Sequence, residues 1–147
     1  IISQMLSSKA ASSILNNVYN HFGTSRKLLS YITLSDIQTP LYGVSIKKQK
    51  ALYSWANSSH RRRNINVRIK TRSDVYNTFK CIWGLGEWSI DMLSIFYFCL
   101  SDIWPESDLG IIKYTEKYFK GNKPDSIAGL ETITSLCIWH GIDKKII

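Results

Sequence analysis

The spacing of the apolar residues is the feature that most constrains the fold of this chain. Over residues 2–22 one set of apolar residues is spaced by four or eight positions, and Gly23 follows as a helix stop; the set is Ile2, Leu6, Ile14, Val18 and Phe22. No long segment alternates apolar and polar residues, as a half-buried strand does, and no internal repeat is present. We therefore predict an all-α fold. At 147 residues the chain can bury one core but is short for two, so residues 1–147 are expected to form a single domain.

Two further helices are predicted from capping residues in the first part of the chain. Ser45 is a candidate N-cap for a helix that continues through Trp55. Thr71 or Ser73 can cap another helix over residues 74–82.

The second half of the chain has three predicted helices. Residues 87–100 are apolar almost all round, which is typical of a helix that is buried on every side. Ser107 or Asp108 can cap a helix that runs through Phe119, and a last helix is expected near residues 130–139.

Positive charge is concentrated in the first half. Net charge is +8; residues 1–73 hold twelve Lys or Arg against one acid, whereas residues 74–147 hold seven against ten. The densest run, HRRRNINVRIKTR at residues 60–72, includes Arg61, Arg62 and Arg63 and has no acid. Such a run is typical of a solvated loop or of a segment that contacts phosphates, and nearby aromatic residues favour nucleic acid.

The number and spacing of the cysteines argue against several classes of protein. Cys81, Cys99 and Cys137 are odd in number, far apart and without a Cys-x-x-Cys pair, which argues against a disulfide framework, a zinc site and an iron–sulfur cluster. We expect buried thiols in an intracellular protein.

The longest apolar run, residues 92–100, is too short to span a membrane. The first residues resemble neither a signal peptide nor a natural start, which predicts an amino terminus cut inside a helix.

The stretch IWGLGEWSID at residues 82–91 separates two predicted helices with the triplet Gly84, Leu85 and Gly86. Both glycines permit positive φ and close approach, so amides at the start of the second helix can point at a phosphate. The pattern predicts a helix-hairpin-helix motif, and an ordinary turn between packed helices is the alternative.

Four segments in order carry a family resemblance. Residues 1–11 (IISQMLSSKAA) are similar to the pattern I-x-G-Q-Q-L-S-x-K-A-A, and residues 43–48 (GVSIKK) to G-L-S-x-x-K. Residues 84–92 (GLGEWSIDM) are similar to G-I-G-x-W-T-A-D-M, and residues 102–110 (DIWPESDLG) to D-x-x-P-x-D-D-L-G. With these segments the chain resembles the helix-hairpin-helix DNA glycosylase superfamily nearly end to end, and most closely the alkylbase branch of 3-methyladenine DNA glycosylase II type.

The resemblance implies hydrolysis of the N-glycosidic bond of a damaged base that has been flipped out of duplex DNA. The family's catalytic aspartate falls on Asp108, whose carboxylate would stabilise an oxocarbenium-like sugar and orient or deprotonate the attacking water. A simple helix cap is the alternative role, and the two are compatible. Trp88 stands where strand-nicking members have a lysine, so no Schiff base and no strand cleavage are expected.

The resemblance also assigns binding residues. Trp88, Met92 and Trp104 are expected in the lesion pocket, where an aromatic face can stack on an electron-poor purine, although Trp88 would also suit a helical core. Met5 would wedge into the gap left by the flipped base, or is a core methionine. The remaining expected DNA-binding residues, besides the three arginines, are Gln4, Ser45, Lys47, Gly84, Leu85 and Gly86. Asp91 is expected to make an internal structural hydrogen bond, and the alternative is that it orients the hairpin or the catalytic region. No metal or other cofactor is expected.

We therefore expect a helix-hairpin-helix glycosylase core acting as a monofunctional DNA glycosylase for alkylated purines in base excision repair. It would work as a monomer on damaged double-stranded DNA inside the cell, in a bacterial cytoplasm or a eukaryotic nucleus, with no membrane partner. One alternative is a non-catalytic helix-hairpin-helix DNA-binding module. The other is a basic helical protein that binds RNA or a protein partner.

Overall fold

A computed structural model of the chain describes residues 1–4, 6–58 and 69–146. The described residues contain seven α-helices, one 3-10 turn at Asp125–Ile127, and no strand, so the predicted all-α class is confirmed. In chain order the helices are α1 (Ser8–Phe22), α2 (Ser25–Leu34), α3 (Ile46–Asn57), α4 (Arg72–Phe79), α5 (Glu87–Phe96), α6 (Leu109–Phe119) and α7 (Glu131–Asp143).

The described residues divide into two compact units. Unit 1 contains the described residues of Ile1–Val67 together with Thr78–Leu85. Unit 2 contains the described residues of Arg68–Asn77 together with Gly86–Ile147. The single domain over residues 1–147 stays a prediction.

Unit 1 is built around α2, which packs against both α1 and α3. Its core includes Val18 and Phe22 from α1 and Leu28 and Ile32 from α2. Each pair is spaced by four residues, so each helix presents one apolar face to the other.

The sequence prediction missed α2 altogether. Two signals were present in the sequence: Thr24 is a residue type favoured at N-caps, and two apolar residues four positions apart follow it. In the structure Thr24 is the N-cap and accepts a hydrogen bond from the amide of Lys27. The predicted helix over residues 2–22 starts later than expected, at Ser8, because Ser7 caps the amide of Ala10 there. Its predicted end at Gly23 is confirmed, with φ of 68°.

The apolar run after the double glycine forms a shorter helix than predicted. The helix α5 ends at Phe96 rather than at Leu100, and Cys99 follows with φ of 55°. Phe96 and Tyr97 are 61% and 70% exposed, so the prediction that this helix is buried on every side is wrong at its carboxyl end. There the amides of Tyr97 and Phe98 both donate to the carbonyl of Leu93, which ends the regular α-helical hydrogen-bond pattern.

Unit 2 places α6 against α7 over a core that includes Ile90, Ile103, Ile111 and Ile138. The helix α6 begins and ends as predicted, whereas α7 extends four residues beyond the predicted end at residue 139. Thr132 anchors the loop before α6: its hydroxyl donates to the carbonyl of Leu100 at 2.7 Å and accepts from the amide of Ile103 at 3.1 Å.

The cysteines correct one expectation. Cys81, Cys99 and Cys137 are all exposed thiols, so the prediction of buried thiols is wrong. Cys81 follows the end of α4, Cys99 lies in the turn after α5, and Cys137 lies on an outward position of α7. Within the described ranges, no helix is both long enough and apolar enough to cross a bilayer.

Candidate active site

The carboxylate of Asp108 is held by four N–H donors, all in unit 2. Its Oδ1 accepts from the backbone amides of Gly110 at 2.9 Å and Ile111 at 3.2 Å, and from the indole Nε1 of Trp139 at 2.9 Å. Its Oδ2 accepts from the indole Nε1 of Trp88 at 2.8 Å. Among the described residues Oδ1 therefore has three donors, while Oδ2 has one and keeps acceptor capacity for another group.

Local structure explains why the carboxylate has this orientation. Asp108 is the N-cap of α6, with extended φ and ψ of −78° and 126°, so its side chain turns back onto the first amides of the helix. The amide of Asp108 donates to the carbonyl of buried Pro105 at 2.9 Å, which fixes the preceding turn. The cap that the sequence predicts is confirmed, and the same geometry holds the carboxylate rigidly.

Trp139 is the site residue that the sequence analysis missed. Its ring stacks on Phe96 with centroids 6.0 Å apart and an angle of 23° between the planes. Its Cδ1 would lie 3.5 Å from a Cβ added at Gly110, and the same Cβ would lie 3.1 Å from Oδ1 of Asp108. In the structure the indole of Trp139 is half-buried, and an indole N–H in such a place needs a hydrogen-bond acceptor. This general requirement of tryptophan is what the sequence offered as a signal.

The three residues expected in a lesion pocket all belong to unit 2. Trp88 and Met92 lie four positions apart on α5, so they share one face, and both are half-buried. Trp104 is half-buried in the loop four positions before Asp108. Of the three, Trp88 contacts Asp108 through a hydrogen bond, which is separate from its expected stacking on a purine. The pocket itself stays a prediction.

The loop between α4 and α5 is longer than the predicted tight turn, since α4 ends at Phe79. Gly84 has φ of 85°, as predicted, and a Cβ there would lie 3.0 Å from the Cβ of Ala51. For Gly86 the predicted positive φ is wrong: φ is −86°, because the residue is the extended N-cap of α5. A Cβ on Gly86 would meet nothing within 4 Å.

The other expected DNA-binding residues that the structure describes lie in unit 1. Ser45 caps α3, as predicted, by accepting from the amide of Lys48, and Lys47 is exposed in the first turn of that helix. Gln4 is half-buried in a turn in which its amide donates to the carbonyl of Ile1. Leu85 is also half-buried, in the loop before α5. Met5 and the three arginines Arg61, Arg62 and Arg63 lie outside the described residues.

A charged cluster joins the first residue of α4 to α5 within unit 2. Nε of Arg72 lies 2.5 Å from Oδ1 of buried Asp91, and Nη2 of Arg72 lies 2.5 Å from Oε2 of Glu87. Burial raises the pKa of Asp91, outweighing the opposing effect of Arg72, while the hydrogen bond that Arg72 donates to Asp91 raises the pKa of Arg72. The predicted structural hydrogen bond of Asp91 is confirmed.

The part of the chain that the structure describes has no group of three His, Cys, Asp or Glu side chains placed to hold a metal ion. Comparisons with protein-family models, curated proteins and solved structures show no significant match to this chain.

Proposed function

We propose that this protein is a monofunctional DNA glycosylase that hydrolyses the N-glycosidic bond of a flipped-out alkylated purine. The observation that supports this most is the carboxylate of Asp108, which is oriented by two backbone amides and two indole N–H groups. A helix cap needs only the two amides. The indole of Trp139 adds a third donor to the capping oxygen Oδ1, and the indole of Trp88 fixes the second oxygen Oδ2, as expected for a carboxylate that must face a reacting group.

The chemistry follows from this geometry. Cleavage of the bond between base and sugar leaves positive charge on the sugar, and a preorganised carboxylate stabilises that charge without having to move. Oδ2 of Asp108 is the oxygen suited to the task, since Trp88 is its single donor within the part of the chain that the structure describes. The same oxygen can orient a water molecule for attack on the anomeric carbon.

The position of Trp88 supports hydrolysis without strand cleavage. An indole N–H has no nucleophilic lone pair with which to form a Schiff base with the sugar. The product would therefore be an intact abasic site. Double-stranded DNA is the proposed partner, because the basic first half of the chain and the loop around Gly84 and Gly86 suit contact with its phosphates. The protein would act on this DNA as a monomer inside the cell.

Base release from damaged duplexes tests the proposal. Purified protein in excess is incubated with methylated DNA and with duplexes that contain uracil, hypoxanthine or a mismatch, and released bases are quantified by chromatography. We expect release of alkylated purines, with strand breaks only after alkali. If duplex is bound but no base is released from any substrate, the protein is a non-catalytic helix-hairpin-helix DNA-binding module. Preference for RNA or a protein over duplex DNA would reject both.

A further inference from the structure

A groove of about 310 Å³ begins at the residue after Asp108 and runs along α6. Its polar lining consists of two lysines and two tyrosines of that helix, namely Lys113, Tyr114, Lys117 and Tyr118. Leu109 at one end and Ile142 from α7 supply apolar lining. No acid is among the described residues that line the groove.

The lining combines positive charge with aromatic surface. Lys113 and Lys117 are both exposed, and their spacing of four residues puts them on one face of α6. Nζ of Lys117 lies 4.7 Å from the ring centroid of Tyr118, which is 47% exposed. The ring of Tyr114 lies 4.8 Å from that of Tyr118, which positions the exposed ring. A ligand in the groove meets cations and an aromatic ring together.

We propose that this groove binds a single-stranded segment of nucleic acid. Lys113 and Lys117 would contact consecutive phosphates, and Tyr118 would stack on a base. Bases in a duplex are stacked on their neighbours, so only an unpaired base can present its face to a tyrosine. An acidic peptide would complement the lysines but would not require the aromatic ring.

Gly110 connects the groove to the candidate active site. It lines the groove, and its amide donates to Oδ1 of Asp108 at 2.9 Å. A strand in the groove would therefore continue directly from the nucleotide at Asp108. This inference rests on the proposed function for the identity of the strand, which would be a stretch beside the flipped nucleotide that is unpaired where it enters the groove.

Salt-dependent binding of an undamaged, labelled oligothymidine tests the role of the lysines. The double variant Lys113→Gln/Lys117→Gln should flatten the log–log salt dependence of binding by up to about 1.4 units, at about 0.7 per phosphate contact. The matched control is Lys144→Gln/Lys145→Gln, which removes the same charge from exposed positions after α7, outside the groove lining and the basic first half, and should leave the slope unchanged. Equal slopes for the parent and both double variants would overturn the proposal.

Tyr118→Leu tests the stacking separately, because it keeps apolar bulk but removes the ring. Affinity for oligothymidine should fall about fivefold or more at every salt concentration. Polyglutamate is the competing ligand: if it binds as tightly as oligothymidine and loses affinity in Lys113→Gln/Lys117→Gln but not in Tyr118→Leu, the groove is a peptide site and the proposal is wrong. All these positions are exposed, and denaturant unfolding of each variant confirms that it is folded.

The two proposals fail in different ways. Strand binding is measured on undamaged DNA, so a parent that binds oligothymidine through the groove yet releases no base loses only the glycosylase assignment. A parent that releases alkylated bases while the groove variants bind oligothymidine unchanged loses only the groove assignment.

Discussion

The indole nitrogen of Trp139 lies 2.9 Å from Oδ1 of Asp108, the same oxygen that caps α6. One carboxylate oxygen thus joins the start of one helix to a side chain of the helix packed against it. Since the amides of Gly110 and Ile111 already satisfy the cap, the contact with Trp139 adds orientation rather than capping. We interpret Trp139 as a positioning residue for Asp108.

Trp139→Phe should lower single-turnover base release by about tenfold, because it removes one hydrogen bond to the carboxylate but keeps an aromatic ring beside Phe96. Affinity for duplex DNA should change little. Trp55→Phe is the matched control, since it removes a half-buried indole beside Phe79 in unit 1, to which no site role is assigned. Equal rates for the parent and Trp139→Phe would show that this indole does not position the carboxylate.

Trp88→Phe separates two roles of one side chain. The variant loses the hydrogen bond to Oδ2 of Asp108 but keeps a ring that can stack on a purine. We expect slower release of every damaged base, with the relative preference among lesions unchanged, as measured by competition between two labelled substrates. A variant that loses only its preference for alkylated purines would show that stacking is the main role of Trp88.

Gly84 and Gly86, in the loop between α4 and α5, should respond differently to substitution. Gly84→Ala should lower the free energy of unfolding by about 1–3 kcal/mol, since it forces a positive φ and crowds Ala51. Gly86→Val extends into open space at a φ that valine accepts, so its free energy of unfolding should stay within about 1 kcal/mol of the parent's. If the loop contacts a phosphate, this second variant should still bind undamaged duplex about tenfold more weakly. Unchanged duplex binding by folded Gly86→Val would remove the loop from the DNA interface.

Asp91 and Asp74 should contribute to the pH dependence of stability with opposite signs. Burial raises the pKa of Asp91 in the folded protein above its ordinary value of 3.8. The contribution of Asp91 to stability is therefore fully present below about pH 3.8 and is lost as pH rises through the folded pKa. The pKa of Asp74 is lowered below 3.8 by the backbone amide of Lys70 and by Thr71, so its contribution is lost as pH falls through its folded pKa.

Denaturant unfolding of Asp91→Asn, Asp74→Asn and the parent across the acid range measures this difference. The parent should lose stability relative to Asp91→Asn as pH rises, and relative to Asp74→Asn as pH falls. Two differences that change in the same direction would contradict the assigned environments.

Much of the fold could be predicted because capping residues and apolar spacing act locally. Ser45, Asp108 and Gly23 each cap or end a helix where the sequence indicates it. The helix α2 was missed although Thr24 marked its start, and the end of α5 was misplaced because an apolar residue such as Phe96 can also lie on the surface.

The site was predictable only in part. Asp108 and Trp88 could be chosen from short motifs, whereas Trp139 lies 31 residues beyond Asp108 in a helix without a marked apolar face. Its contact arises from the packing of α6 on α7, which local patterns do not specify. The φ of Gly86 could not be predicted for a related reason: an N-cap glycine is extended, whereas a turn glycine is often left-handed, and the sequence does not separate the two cases.

Single-turnover base release by Asp108→Asn, compared with the parent on the same methylated duplex, tests the central claim most directly. The asparagine keeps the size and most of the capping of the side chain but removes the negative charge, and its amide cannot accept a hydrogen bond from Trp88. We predict that release falls by about two orders of magnitude or more, while affinity for a duplex with a non-cleavable abasic analogue changes by no more than about threefold. Release as fast as that of the parent would contradict the account, and Asp108 would then be only a helix cap.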